Sequence, residues 1–264
     1  MARQISNPAK ERLARGDLAL GVGIRLSRTV EIAKAMKSAG YDWLFIDLEH
    51  GPLTLDAATQ ISVAALDAGI SPIVRVPAGD FASATRALDN GALGIVIPHV
   101  DTAEQARVIV DKLKYPPAGH RSIAGSVPQF DFQAVPIADL TATLNAACLV
   151  VVMLETPDAI AQADAIAAVA GVDVLLIGTN DLCAEMGIPG DFANARVSEA
   201  YEKVIAACRS NRKWPGMGGI YEEKLMRRYV ELGAKFVLGG ADLGFMMAAA
   251  KGRANFLRAL GAKE

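Results

Sequence analysis

Eight short apolar runs, each closed by Gly, Pro or polar residues and followed by a stretch of helical periodicity, recur along the 264 residues. Such runs are what a buried parallel sheet demands, because neither face of its strands meets water. The pattern predicts strands at 18–24, 43–49, 72–77, 93–98, 148–155, 173–178, 215–220 and 236–240. Helices are expected at 29–38, 56–67, 83–90, 103–113, 157–169, 198–210 and 222–232, with a last one over 242–260. Eight strand–helix units in about 250 residues match a closed (β/α)8 barrel, the TIM-barrel architecture, better than an open doubly wound sheet. The first strand-to-helix turn reads GIRLSRT and lacks the G-x-G-x-x-G of a dinucleotide fold, which disfavours a Rossmann domain.

A single barrel domain over 1–264 is therefore the expected organisation. The longest interruption, 115–143, holds Pro116, Pro117, Gly119, Pro128 and Pro136 and is too long for a plain connection. It is read as a functional loop or a subunit-contact arm.

Charge and cysteine usage remove several function classes. Lys and Arg number 27 against 29 Asp and Glu, interspersed along the chain, so the basic stripe that nucleic acid requires is missing. No run reaches the ~18 apolar residues of a membrane span, and residues 1–16 carry charges where a leader would have an apolar core. Cys148, Cys183 and Cys208 form no C-x-x-C pair and suggest no disulfide framework, so a cytoplasmic protein is expected.

Barrel enzymes carry their chemistry at the carboxyl ends of the strands, and here those ends are rich in polar residues. The second strand ends in Asp47-Leu48-Glu49-His50, the third carries Arg75, the fifth ends at Glu155, and the sixth runs through Gly178-Thr179-Asn180-Asp181. Glu155 and Asp181, on adjacent strands, could share one hard divalent cation with waters completing its shell, or each could cap a helix. Two unpaired carboxylates facing one cavity would repel each other, which favours the cation. His50, flanked by acids, suits a general base. Arg75 in the buried run IVRVP needs a partner, either an anionic substrate or one of Asp47, Glu49 and Asp89. Asp89 could also simply end its helix, and His99 and His120 are read as structural histidines.

None of the eleven lysines falls at the carboxyl end of a predicted strand, which disfavours a Schiff-base mechanism and favours metal-assisted enolisation of a 2-oxo acid. The paired glycines Gly218-Gly219 and Gly239-Gly240 leave a phosphosugar isomerase or epimerase as a rival, since many barrels bind phosphate at their last two strands. A silent barrel that binds an organic acid without turnover is the rival from outside enzymology.

The strings YDWLFIDLEHGP, VRVP, ALDNGALGIVIPHV, YPPAGHRS, LETPDAI and IGTNDLCAEMG, in this order, resemble the metal-dependent 2-oxo acid aldolases of the 4-hydroxy-2-oxoheptanedioate aldolase and citrate lyase β-subunit-like family, from about Gly21 to Leu260. The resemblance implies a pyruvate-type barrel with its last helix, 242–260, exchanged between subunits, and homo-oligomers built from dimers up to hexamers. It implies a class II aldolase that cleaves 4-hydroxy-2-oxo acids to pyruvate and an aldehyde, with Mg2+, Mn2+ or Co2+ as cofactor. By position it implies Glu155 and Asp181 as metal ligands, His50 as base and Arg75 as the holder of the pyruvate oxygens. Asp47 and Asp89 correspond to acidic partners of the histidine, and the backbone of Gly178 and Asn180 to the turn that binds the substrate carboxylate. The segment after Arg121 corresponds to one that reaches an adjacent active site. Met153, Thr179, the run Arg121 to Gly125, and Gly218 depart from the family pattern and bear on the acceptor pocket. A CoA-thioester lyase is a related reading, but it expects a more basic nucleotide-binding surface.

Overall fold

The structure, a computed structural model, describes residues 5–261. Its strands are β1 (Ala19–Ile24), β2 (Trp43–Asp47), β3 (Ser71–Arg75), β4 (Gly94–Ile97), β5 (Leu149–Leu154), β6 (Val174–Gly178), β7 (Trp214–Gly218) and β8 (Phe236–Ala241). They pair in parallel and in sequence order, and β8 returns to β1, which closes the barrel. Every predicted strand is present, with ends shifted by one or two residues.

The helices are α1 (Pro8–Ala14), α2 (Glu31–Ser38), α3 (Leu55–Ala68), α4 (Phe81–Asp89), α5 (Ala103–Leu113), α6 (Ile137–Ala147), α7 (Pro157–Ala161), α8 (Ala163–Ala167), α9 (Thr179–Glu185), α10 (Ala195–Ser210), α11 (Glu223–Leu232) and α12 (Asp242–Gly261). The helix expected over 157–169 is split in two, and the one expected at 198–210 begins three residues earlier. The end of the expected 115–143 loop is also helical, since α6 starts at Ile137.

Two apolar layers hold this arrangement. One lies between sheet and helices and contains Val22, Leu44, Val74, Ile95, Val152 and Ile177; the other fills the barrel with Trp43, Phe45, Ile73, Val96, Leu176 and Phe236. Trp43 stacks on Phe236 with ring centroids 3.9 Å apart. Gly21 is in register with Trp43, and a Cβ there would overlap the indole, so only glycine allows the ring to lie across the barrel.

The amino ends of the strands are plugged. Helix α1 starts at Asn7, whose Nδ2 donates to the carbonyls of Leu93 (3.0 Å) and Ala147 (2.7 Å) while its Oδ1 accepts from Ser71 Oγ (2.7 Å). Lys10 reaches Asp173 at 3.3 Å. Segment 115–136 packs at this same end: Gln129 donates to the carbonyls of Leu88 and Ala92, and Tyr115, Val127 and Phe130 pack on Leu140 and Leu144. The segment therefore lies at the opposite end of the barrel from the chain's own carboxyl-end cleft.

Helix α12 leaves the barrel almost at once. Asp242 is buried, but residues 243–261 are all exposed, among them Leu243, Phe245, Met246, Met247, Phe256, Leu257 and Leu260. No helix among the described residues is long and apolar enough to cross a membrane.

Candidate active site

With one end plugged, the carboxyl ends of the strands form the open cleft. A cavity of about 470 Å³ there is lined by residues from all but one of the strand ends, including Arg25, Asp47, His50, Arg75, Met153 and Asp181. A concavity of about 510 Å³ on the outer face, between α5 and α8, holds none of these groups.

The base of the site is an ion-pair lattice. Asp47, fully buried at the end of β2, accepts Arg75 Nε at 2.9 Å and Arg75 Nη2 at 2.6 Å. Arg75 Nη1 lies 3.0 Å from Glu49 Oε2, and the guanidinium carbon stands 4.9 Å from the centre of the Phe45 ring. Burial pushes the Asp47 carboxyl upward, but the hydrogen bonds and charge of Arg75, with the N–H groups of His50 and Glu49, outweigh it and hold the carboxyl below its ordinary range. The reading of Arg75 as paired to nearby carboxylates is thus realised by Asp47 and Glu49.

Linked to this lattice through His99, whose Nε2 lies 3.7 Å from Glu49 Oε1, stands Glu155, 1% exposed just after β5. Its Oε2 accepts the backbone N–H of His99 at 2.7 Å and lies 3.2 Å from His99 Nδ1. Desolvation pushes its pKa up to about 7; His99 pulls the other way, and the charges of Asp181 and Glu49 add to the rise. Gly178 makes room for it, since a Cβ there would stand 2.6 Å from Glu155 Oε1. Asp181 sits in the first turn of α9. A buried carboxylate with no Lys or Arg partner among the described residues, faced by a second carboxylate, has the donor chemistry of a hard divalent cation. No cluster of three or more His, Cys, Asp or Glu ligands forms among the described residues, so such a cation would keep waters or substrate oxygens in its shell.

His50 lines the cavity with its side chain 54% exposed and its Nε2 3.7 Å from Glu49 Oε2. Asp47 meets His50 through the backbone N–H at 3.2 Å, so the acid beside the ring is Glu49. Asp89 is not in this site within one chain. It ends α4, at the plugged end of the barrel, and pairs with Arg121 at 2.5 Å. The physical reason is direction: a helix that follows a strand runs back, so its last residue lies at the amino ends of the strands.

His99 is the residue that sequence reasoning missed. It adopts a left-handed backbone, φ 55°, just after β4, and that turn aims both its N–H and its ring at Glu155. Position at a strand end was the available signal. His120, by contrast, pairs with Asp111 far from the site. Thr179 is buried and ties two strands together, with Oγ1 donating to the Gly218 carbonyl at 2.7 Å and bonded to Tyr201 Oη at 2.8 Å. No lysine lines the cavity among the described residues.

Residues 26–249 match the family model described as HpcH/HpaI aldolase/citrate lyase. The chain belongs to that family. A 4-hydroxy-4-methyl-2-oxoglutarate aldolase of Hapsidospora irregularis is 42% identical over 240 residues, covering 89% of each chain. A hydroxypyruvate/pyruvate aldolase of Delftia acidovorans is 34% identical over 246 residues, covering 93% of this chain and 90% of that protein. Among solved structures, an HpcH/HpaI aldolase from Desulfitobacterium hafniense superimposes with a TM-score of 0.89 at 31% identity, over 98% of each chain. The family resemblance drawn from the sequence motifs is therefore correct, and so is the TIM-barrel fold.

Proposed function

We propose that this family member is a class II aldolase that cleaves 4-hydroxy-2-oxo acids to pyruvate and an aldehyde or ketone, or runs the reverse addition. The observation that carries this reading is one cavity lined by Asp181, Arg75 and His50, with Glu155 against its Gly178 wall and no lysine among its described lining residues. The aldolase relatives, alike over about nine-tenths of their length, support it.

Glu155 and Asp181 would hold Mg2+, Mn2+ or Co2+, which when bound supplies Lewis acidity toward the carbonyl and carboxylate oxygens of the 2-oxo acid. Arg75 gives two of its five N–H groups to Asp47, and among the other three it can offer donors to the developing enolate oxygen while Nη1 stays 3.0 Å from the Glu49 carboxylate. Asp47 and Glu49 keep that guanidinium in place. His50 takes the proton of the C4 hydroxyl at a ring nitrogen as the C3–C4 bond breaks, and the imidazolium so formed returns a proton to C3 to complete pyruvate. The backbone of Gly178 and Asn180, at the start of α9, receives the substrate carboxylate. Release of pyruvate from 4-hydroxy-4-methyl-2-oxoglutarate by metal-loaded protein, and none after chelation, is the expected result. Undiminished turnover after chelation would overturn the metal assignment.

The phosphosugar reading loses ground in the structure. Gly240 is glycine because the Phe245 ring occupies the space of its Cβ, and Gly219, φ 89°, abuts the Asn180 side chain. Packing accounts for both. A homo-oligomer completes the reading, with α12 exchanged between subunits, because Met246, Met247, Phe256, Leu257 and Leu260 stand exposed within one chain. Asp89 and segment 115–136 would serve at a subunit contact rather than at the chain's own base. Cys148, Cys183 and Cys208 carry free, buried thiols, which suits the cytoplasmic setting proposed here.

A further inference from the structure

Arg25 follows the last residue of β1 and lines the cavity, yet nothing in the chemistry above uses it. Its backbone is fixed. The carboxylate of Asp242 accepts the N–H groups of Arg25, Leu26 and Ser27 at 3.1, 3.0 and 2.7 Å, pinning the β1–α2 turn to the start of α12. Its side chain is held more loosely. Nη2 donates to the His50 carbonyl at 2.9 Å, and Nε stands 3.5 Å from Asp47 Oδ2.

That Asp47 oxygen is already bound by Arg75 at 2.6 Å. Arg25 is thus a second guanidinium beside a carboxylate that another arginine satisfies. Its Nη1 has no hydrogen-bond partner among the described residues, and the side chain is 48% exposed at the cavity. In the closed eight-stranded ring β1 lies across from β5, so Arg25 faces Glu155 from the opposite rim. Between them the wall at Gly218 has no side chain, although a Cβ would meet nothing nearer than 3.6 Å, so the glycine leaves space that packing does not require to be empty.

We propose that Arg25 is a specificity residue that binds the carboxylate of the acceptor, so that the preferred acceptor is an anionic carbonyl compound, such as a second 2-oxo acid, rather than a neutral aldehyde. The proposal rests on the aldolase reading. Pyruvate's own oxygens are accounted for by Arg75 and by the cation that Glu155 and Asp181 would hold, which leaves the guanidinium of Arg25 for the second reactant. A planar guanidinium with free N–H groups suits a carboxylate in particular.

The test compares cleavage of 4-hydroxy-4-methyl-2-oxoglutarate, whose acceptor half carries a carboxylate, with cleavage of 4-hydroxy-2-oxovalerate, whose acceptor half is neutral. Wild-type, Arg25→Leu and Arg25→Lys proteins are assayed at full length with Mn2+. The ratio of kcat/KM for the charged over the neutral substrate should fall about 10- to 100-fold in Arg25→Leu, the size expected for a lost charge-assisted hydrogen bond, and recover in part in Arg25→Lys. An unchanged ratio in both variants, with the two substrates losing rate together or not at all, would reduce Arg25 to a prop for the His50 loop and overturn the proposal. Exchange of the pyruvate methyl protons by the wild type separates the two failures. With exchange present and the ratio unchanged only the role of Arg25 falls; with no exchange the aldolase reading falls and the proposal with it.

Discussion

The carboxylate of Asp47 and the guanidinium of Arg75 face each other end to end on adjacent strands, joined by hydrogen bonds of 2.9 and 2.6 Å, with 0% and 7% of the two residues exposed. Their register on β2 and β3 makes them direct neighbours, so the pair is fixed by the sheet itself. Removing one partner leaves the other charged and desolvated. Arg75→Leu should therefore lower unfolding stability by about 3–5 kcal/mol, read from urea denaturation. Arg75→Lys should fold better yet lose activity, because an ammonium cannot make the two-point contact with Asp47 and also serve the substrate.

Glu155 gives the apoprotein a distinctive pH dependence. Its folded pKa, raised to about 7, exceeds that of an unfolded glutamate, so the folded state binds the proton more tightly. The contribution is fully present below the unfolded value and is lost as pH rises through about 7. Wild-type apoprotein should thus lose stability relative to Glu155→Gln between pH 4.5 and pH 8, by about 3 kcal/mol at most. A divalent cation competes with that proton, so the rise in Tm on adding Mn2+ should be larger at pH 8 than at pH 5.5. Parallel pH profiles for the two proteins would remove Glu155 as the titrating group.

Two glycines should respond in opposite ways to the same added methyl group. At Gly178 a Cβ would stand 2.6 Å from Glu155 Oε1, so Gly178→Ala must shift the carboxylate and should weaken Mn2+ binding at least about 10-fold. At Gly218 the nearest atom would be 3.6 Å away. Gly218→Ala should fold normally, bind metal as before, and discriminate more strongly against bulky acceptors. Calorimetric titration with Mn2+ distinguishes the two.

Helix α12 should set the assembly state. Its exposed Phe245, Met246, Met247, Phe256 and Leu257 form an apolar length that a lone chain leaves in water. Sedimentation should show a homo-oligomer for the wild type, and Met247→Asp with Phe256→Asp should drive it toward smaller species. A wild-type monomer would contradict the exchanged helix.

The barrel was legible because buried parallel strands are continuous apolar runs, and the alternation repeats eight times. Helix α1 was missed, although Asn7 as cap, Pro8 at the first position and Glu11 in the first turn are its signature. Helix α6 begins at Pro136 without a side-chain cap and hides inside a proline-rich segment. For the site, the strand ends pointed to Asp47, Glu49, His50, Arg75, Glu155 and Asp181, because their polarity interrupts apolar runs. Arg25 escaped because GIRLSRT was weighed only against a nucleotide-binding pattern. His99 escaped because a left-handed turn after a strand leaves no mark on an isolated histidine, and Asp89 was placed by likeness, whereas the direction of α4 puts it at the other end.

Hydrogen–deuterium exchange at the pyruvate methyl group, followed by NMR, tests the central claim most directly, because it needs only the enolate half of the reaction and no acceptor. Metal-stripped protein should be silent, and Mn2+, Mg2+ or Co2+ should restore exchange. His50→Ala with metal present should exchange about 100- to 10,000-fold more slowly. Exchange that is absent with every metal, or undiminished in His50→Ala, would contradict the assignment of this site.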